Sequence, residues 1–258
     1  MRKRNIIIIF IVVGVVLVGS IFFSLFFLNK QKIAVLTYHG VVDGVKDKNS
    51  VDISVDYFEK QMKWLSDHHY KTITIDEFYN WKKGKIKLPR KSVLITFDDG
   101  WKNTYSKALP IMEKYEIVSN VFVVWKYSEN CTLNNEKIYI NENDVKDIMT
   151  NHKSLKILSH SYNLHDIKEA KSKNYDKYDN DMKMVSKFDK DVKYYAYPFG
   201  IHNEQYKKAL KDNGYKLAFT FGPYAFASKK DDDYEIPRIG VFESTPFWKL
   251  KLKLFLNL

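Results

Sequence analysis

Residues 92–101 read SVLITFDDGW, an apolar, β-branched run from Val93 to Phe97 that ends on two adjacent carboxylates and a glycine. A run of this length and composition reads as a short buried strand. Asp98 and Asp99 then stand where the strand gives way to a loop. Neighbouring acids in that position repel each other and lose hydration. A metal ion, a proton to be moved or an ordinary Asp-Gly turn would account for them.

Similar runs recur as KIAVLTYH (32–39), KTITI (71–75), SNVFVVW (119–125), LKILSH (155–160), KYYAYPFG (193–200) and KLAFTFG (216–222). Helix-like stretches lie between several of them. Residues 54–70 offer Ser54 as a cap and an apolar face of Phe58, Met62 and Leu65. Residues 103–117 and 141–152 are further candidates, and 203–216 ends in an Asn-Gly stop at Gly214. Short apolar strands alternating with helices predict an α/β sheet or a (β/α) barrel with parallel strands. Tyr38-His39, Asp98-Asp99, Ser159-His160 and Pro198-Phe199-Gly200 each follow a strand. In a βα barrel the carboxyl ends of the strands share one face, so Asp98 and Asp99 are expected to share a rim with His39, His160 and His165.

The amino terminus is organised differently. Arg2, Lys3 and Arg4 precede an almost wholly apolar segment, Ile6 to Leu28, with no charge between Asn5 and Asn29. Roughly 20 such residues span a bilayer as a helix, and the basic flank is expected on the cytoplasmic side. The run is longer than a signal-peptide core and ends without small residues, so residues 1–30 are expected to be an uncleaved signal-anchor and 31–258 one extracellular domain. Of the formal net charge of +11, three units come from Arg2, Lys3 and Arg4, leaving about +8 on the remainder, mostly lysine scattered among aspartates and tyrosines. That distribution argues against a nucleic-acid stripe and for a solvated surface that is drawn to anionic headgroups or polymers. Cys131 is the one cysteine, so no internal disulfide can form.

Of seven histidines, His68, His69, His152 and His202 lie in polar contexts that predict solvated side chains. His160 and His165 are five residues apart, a spacing that separates them by about 140° on a helix and puts them on opposite faces of a strand. They converge only if the chain turns between them. Joined by Asp99, they would form two imidazoles and a carboxylate, a set suited to a divalent transition metal with open positions. Asp98 would be left as a general base.

TFDDG (96–100), SHSYNLH (159–165) and AYPFG (196–200), in this order, resemble the motifs of the carbohydrate esterase family 4 polysaccharide deacetylases. Four residues between the histidines and an early LTYHGV (36–41) resemble most closely the branch that N-deacetylates poly-β-1,6-N-acetyl-D-glucosamine in biofilms. The resemblance spans roughly residues 33–241. It implies a distorted (β/α) barrel of the NodB homology type and a metal-dependent amide hydrolase that releases acetate from an N-acetylglucosamine polymer. It also implies Asp98 as catalytic base, His39 as general acid, and Asp99, His160 and His165 as ligands of zinc, or of cobalt, nickel or iron. The Phe199 amide would be an oxyanion donor on a turn fixed by Pro198, with Tyr38 and Trp101 as the nearest sugar-stacking aromatics. Peptidoglycan or chito-oligosaccharide deacetylation, and an inactive carbohydrate-binding protein, are the alternatives. The arginine that many relatives carry before the Pro-Phe-Gly motif is absent, with Tyr194 or Tyr195 in its place, so the residue that positions the base is unassigned. Asn163 likewise stands where an aspartate is common. A monomer at the cell membrane is expected, without nucleic-acid partners.

At the carboxyl terminus, STPFWKLKLKLFLNL (244–258) fits a helix opened by Pro246 with Phe247, Leu250 and Leu254 on one side. It also fits a strand with leucines on one face and lysines on the other. The segment is expected to cover the barrel or to lie at a lipid interface.

Overall fold

A computed structural model describes residues 13–20 and 31–256, apart from 48, 49, 189, 190, 192, 223 and 224. It divides into residues 1–32 and a compact unit, Ile33–Leu258. The expected membrane anchor lies mostly outside the described residues; only 13–20 are described, and they are helical. No described helix is long and apolar enough to cross a membrane.

The compact unit is built on parallel strands: β1 (Ala34–Tyr38), β4 (Lys71–Thr72), β5 (Ser92–Phe97), β6 (Ser119–Val123), β7 (Leu155–Ser159), β8 (Tyr194–Ala196), β9 (Leu217–Phe219) and β10 (Ile239–Gly240). Their order is β10-β1-β5-β6-β7-β8-β9, with β4 pairing with the start of β5 and a separate pair formed by β2 (Val41–Val42) and β3 (Ile53–Ser54). The segment that carries β10 joins the two ends of this order. Ile236 bridges Phe219 and Ile239 pairs with Leu36, so the parallel sheet curls into a distorted barrel whose seam is a few residues wide.

Period-two alternation decides what each strand sends inward. Val35, Leu94, Phe122, Leu158, Ala196 and Phe219 form one cluster with Ile75, Phe78 and Trp81 of helix α2 (Ile75–Lys82). This helix plugs the barrel, its Phe78 ring 5.8 Å from that of Phe219. Leu36, Ile95, Val121 and Ile157, one residue out of phase, face a second cluster with helices α1 (Val55–Asp67), α3 (Leu109–Lys114) and α5 (Glu142–Asn151). A third cluster packs α7 (Tyr175–Val185) and α8 (Glu204–Asp212) on Tyr195 and Ala218. Burial on both faces explains why the strands read as unbroken apolar runs.

Several local expectations need adjustment. KTITI is a strand only at Lys71–Thr72; Thr74 caps α2 in a capping box with Glu77, and Ile75 becomes its first residue. Ser54 sits at the N-cap of α1, but its hydroxyl donates to Glu243 rather than accepting from the helix. The carboxyl terminus is helix α9 (Phe247–Leu256), not a strand, and Leu250 and Leu254 bury into the core. Helices α4 (Trp125–Asn134), α6 (Ile167–Ala170) and α7 had no expectation.

Candidate active site

Because every strand of the barrel is parallel, the residues after each carboxyl end meet at one rim, and the registers Tyr38↔Phe97, Val123↔Ser159 and Ala196↔Phe219 keep those ends level. Leu94 and Thr96 point inward, so the same alternation carries Asp98 into the barrel mouth. The backbone N–H of Asp98 donates to the Tyr38 carbonyl, so β1 and β5 end side by side and His39 follows directly.

Asp99 then leaves the strand geometry. It and Gly100 have φ of +70° and +74°, two consecutive left-handed residues. The Asp-Gly turn is therefore real, and it swings the Asp99 carboxylate away from Asp98. A Cβ on Gly100 would meet Val123 at 3.1 Å, so the position favours glycine twice over.

The histidine loop turns where five-residue spacing required. Ser161 has φ of +103°, and its hydroxyl accepts from the Leu164 N–H. The N–H groups of Tyr162 and Asn163 donate to the two carboxylate oxygens of Asp181 on α7, at 2.8 and 2.7 Å. The amides of Trp125 and Lys126, opening α4, donate to the carbonyls of Ser161 and Tyr162. Asp181 thus supplies support for the histidines that Asn163 had left open. Burial raises the Asp181 pKa to about 6, with the two amide donors opposing.

These turns bring Asp99, His160 and His165 together, with one ligand atom from each within 4.8 Å of the others. Asp99 Oδ1 lies 2.9 Å from His165 Nε2 and 3.6 Å from His160 Nε2, yet this buried oxygen accepts no well-angled hydrogen bond. His160 Nδ1 is 2.8 Å from the Ala196 carbonyl, which can only accept, so Nδ1 carries the proton and Nε2 presents a lone pair. Burial also pulls the His160 pKa down to about 4, against the pull of Asp98 and Asp99, and the ring is neutral near pH 7. Desolvation alone would raise the Asp99 pKa, but His165 and His160 hold it well below the carboxylate range. Against burial, Asp99 in turn raises the His165 pKa. Two imidazoles and an ionised carboxylate that converge on one point fit a divalent cation. Trp101 Nε1 donates to the other oxygen, Asp99 Oδ2, at 3.1 Å, which orients the carboxylate.

Asp98 has a different partner. Both of its oxygens accept from Arg238, at 2.7 and 2.8 Å, in a planar two-point pair with Arg238 fully buried. Burial works to protonate Asp98; the guanidinium overcomes it and lowers the pKa, so the carboxylate stays ionised. Arg238 also donates through Nε to the Thr220 carbonyl. Sequence reasoning missed this residue. Tyr194 instead donates to Asp76, and Tyr195 pairs with Tyr206. A signal existed: Arg238 is one of four arginines among 42 basic residues, and it interrupts the apolar IPRIGV run.

His39 stands at the rim with a buried Nδ1 that lacks a hydrogen bond, its ring 6.1 Å from Phe221 and 6.5 Å from Phe242. Pro198 is buried, and Phe199 has φ of +58°, with its ring 4.7 Å from that of His165. Gly200 (φ +69°) packs so closely on Phe221 that a Cβ would lie 2.4 Å from that residue's backbone nitrogen. Tyr38 must be corrected as a stacking residue: it is fully buried among Phe58 and Phe97, and its hydroxyl donates to Gln61. Trp101, the other aromatic expected to stack, stays partly exposed and heads a row of rings. Trp101 stacks on Tyr139 at 4.7 Å, Tyr139 contacts Tyr127 at 4.7 Å, and Tyr127 reaches His165. His68 and His69 are exposed as expected, whereas His152 is half-buried between Glu113 and Asp147 and His202 stacks on Tyr197.

The family model for polysaccharide deacetylases matches residues 85–218, just over half of the chain. The chain belongs to the polysaccharide deacetylase family. Asp98, Asp99, His160, His165 and Pro198 fall inside the matched span of this deacetylase, while His39 and Arg238 reach the site from outside it. Among curated relatives, the poly-β-1,6-N-acetyl-D-glucosamine N-deacetylase of Staphylococcus epidermidis is 28% identical over 235 residues, covering 82% of this chain and 79% of its own. The protein of the same name from Staphylococcus aureus strain MSSA476 is 31% identical over 204 residues, covering 75% and 69%. In three dimensions the deacetylase matches Streptococcus pyogenes deacetylase PplD in complex with acetate, with a TM-score of 0.76 at 20% identity over 87% of this chain and 99% of that one. It also matches IcaB from Ammonifex degensii, with a TM-score of 0.70 at 21% identity over 88% and 98%. At these identities the likeness establishes the fold, and the sequence relatives establish the enzyme class: an amide hydrolase that acts on a polysaccharide.

Proposed function

We propose that this deacetylase removes acetyl groups from poly-β-1,6-N-acetyl-D-glucosamine at the outer surface of the cell membrane, releasing acetate. The observation that carries the reading is the pairing of an ionised Asp98, clamped by Arg238, with the Asp99, His160 and His165 triad one residue away. A divalent ion held by that triad, with zinc the first candidate and cobalt, nickel and iron suited to the same ligands, supplies Lewis acidity for the acetamide carbonyl and lowers the pKa of water. Asp98 takes the proton from the attacking water. The Phe199 amide, on its left-handed turn, is assigned to the developing oxyanion. His39 gives a proton to the departing amine, which leaves poorly without one. Trp101, Tyr139 and Tyr127 form the aromatic wall against which sugar rings stack, with Phe199 beside His165 and Phe221 and Phe242 beside His39.

The choice of polymer rests on the names of the curated relatives, and the surface location on the basic flank and apolar segment of residues 1–30. Acetate release by the purified protein from defined β-1,6-linked and β-1,4-linked N-acetylglucosamine oligomers, with and without chelator, tests both parts of the chemistry. Release from the β-1,6 series that chelator abolishes supports the reading; release confined to the β-1,4 series overturns the polymer assignment, and chelator-resistant turnover overturns the metal.

A further inference from the structure

Helix α9 presents two apolar stripes, and the fold uses one. Leu250 and Leu254 are buried in the core and Phe247 packs against it. On the other side Trp248, Leu252 and Phe255, spaced by four and three residues, form one helical stripe. They are 62%, 46% and 67% exposed. Lysines frame this stripe: Lys249 and Lys253 follow it on one edge, and Lys251 lies on the other, over the Phe247 ring. From Ser244 to the last residue there is no acidic side chain. A soluble helix that already buries one face has no reason within this fold to align a tryptophan, a leucine and a phenylalanine on its outer surface. Scattered single exposures are ordinary; an aligned stripe with a cationic frame marks a binding surface.

We infer that α9 is a docking surface for a lipid bilayer with anionic headgroups, Trp248, Leu252 and Phe255 entering the interface while the lysines meet the phosphates. Charge complementarity favours this occupant over a second copy of a chain whose net charge is +11. The inference rests on the membrane-surface reading above and adds an orientation to it. A cavity of about 340 Å³ runs from Phe221 and Phe242, which pack beside His39, to Lys249 and Lys253 of α9. Docking α9 would therefore bring this cavity, which borders the His39 side of the rim, close to the membrane.

The test uses the full chain reconstituted into nanodiscs of zwitterionic lipid alone or with phosphatidylglycerol, read by amide hydrogen exchange over residues 247–256 and by acetate release from a soluble oligomer. In the anionic discs α9 should exchange several-fold more slowly than in zwitterionic discs. High salt should reverse the protection, because exposed charges are screened. Lys251→Gln should weaken docking roughly fivefold, the contribution of one basic residue near an anionic surface. Trp248→Ser with Phe255→Ser should abolish protection and leave turnover of the soluble oligomer unchanged, since both side chains lie outside the core. Equal exchange in both lipids, from protein that is incorporated in both, would refute docking while leaving the anchor intact. Failure to incorporate would instead refute the membrane-surface reading itself. Protection in detergent that scales with protein concentration would assign the stripe to self-association and overturn the proposal.

Discussion

Arg238→Met removes the guanidinium that both oxygens of Asp98 contact, at 2.7 and 2.8 Å, inside a site where Arg238 is fully buried and Asp98 is 3% exposed. Leaving one half of a buried ion pair costs about 3–5 kcal/mol. Asp98 has an alternative, which is to take up a proton. For a carboxyl with an ordinary pKa near 3.9, that costs about 5 kcal/mol at pH 7.5, at roughly 1.4 kcal/mol per pH unit. Both routes lead to a loss of about 3–5 kcal/mol, and for a unit of this size that is on the order of 10 °C in melting temperature. A protonated Asp98 cannot accept a proton from water, and an ionised one without Arg238 loses the two contacts that orient it, so acetate release should fall by more than about a hundredfold. A double-mutant cycle with Asp98→Asn isolates the pair. The two single variants each strand a buried group, whereas the double variant strands neither charge, so the losses should be non-additive by about 2–3 kcal/mol. Urea unfolding of the four proteins, each with chelator and with added zinc, measures this. Additive losses, or Arg238→Met melting within about 2 °C of the parent, would show that the guanidinium does not hold the base.

Asp99→Asn and His165→Ala should each lose metal content together with activity, whereas Asp98→Asn should abolish turnover and keep most of the metal; elemental analysis of the three variants separates ligand from base, and the reverse pattern would exchange the roles of the two aspartates. His39→Ala should lose far more activity on an N-acetyl amide than on an activated aryl acetate, whose leaving group needs no proton; equal losses would make His39 a structural residue. The raised pKa of Asp181, about 6, means that folding favours its protonated form. Its contribution to stability is therefore fully present below pH 4 and lost as pH rises through 6, by about 3 kcal/mol for a two-unit rise, and Asp181→Asn should flatten that part of the stability–pH curve of the metal-free protein. The same substitution keeps one carbonyl acceptor for the two loop amides instead of two oxygens, so zinc affinity, measured by competition with a chelating dye, should drop by roughly tenfold to a hundredfold.

Local physics was enough to fix much of this protein in advance. Apolar runs with β-branched residues can be satisfied only by burial on both faces, so parallel strands and a shared rim follow from composition and spacing. Side chains immediately after those strands, Asp98, Asp99, His39 and His160, could be placed at one mouth because a strand end is a local event. Positive-φ turns at Asp99, Ser161 and Phe199 were legible only as a requirement that the chain bend, since left-handed backbone in a non-glycine residue is imposed by its surroundings. Tertiary structure decided the partners. Arg238 lies 140 residues from Asp98, and Asp181 reaches the histidine loop from a helix that no motif announced. Tyr38 looked accessible beside a motif, yet alternation turned it into the outer core, where Gln61 receives its hydroxyl. Helix α9 shows the same division: its pattern allowed a helix or a strand, and the packing of Leu250 and Leu254 against the barrel chose the helix, leaving Trp248 and Phe255 outward. Periodicity is written into a chain, but which face meets which neighbour depends on contacts between distant segments, and those energies exist only once the barrel has closed.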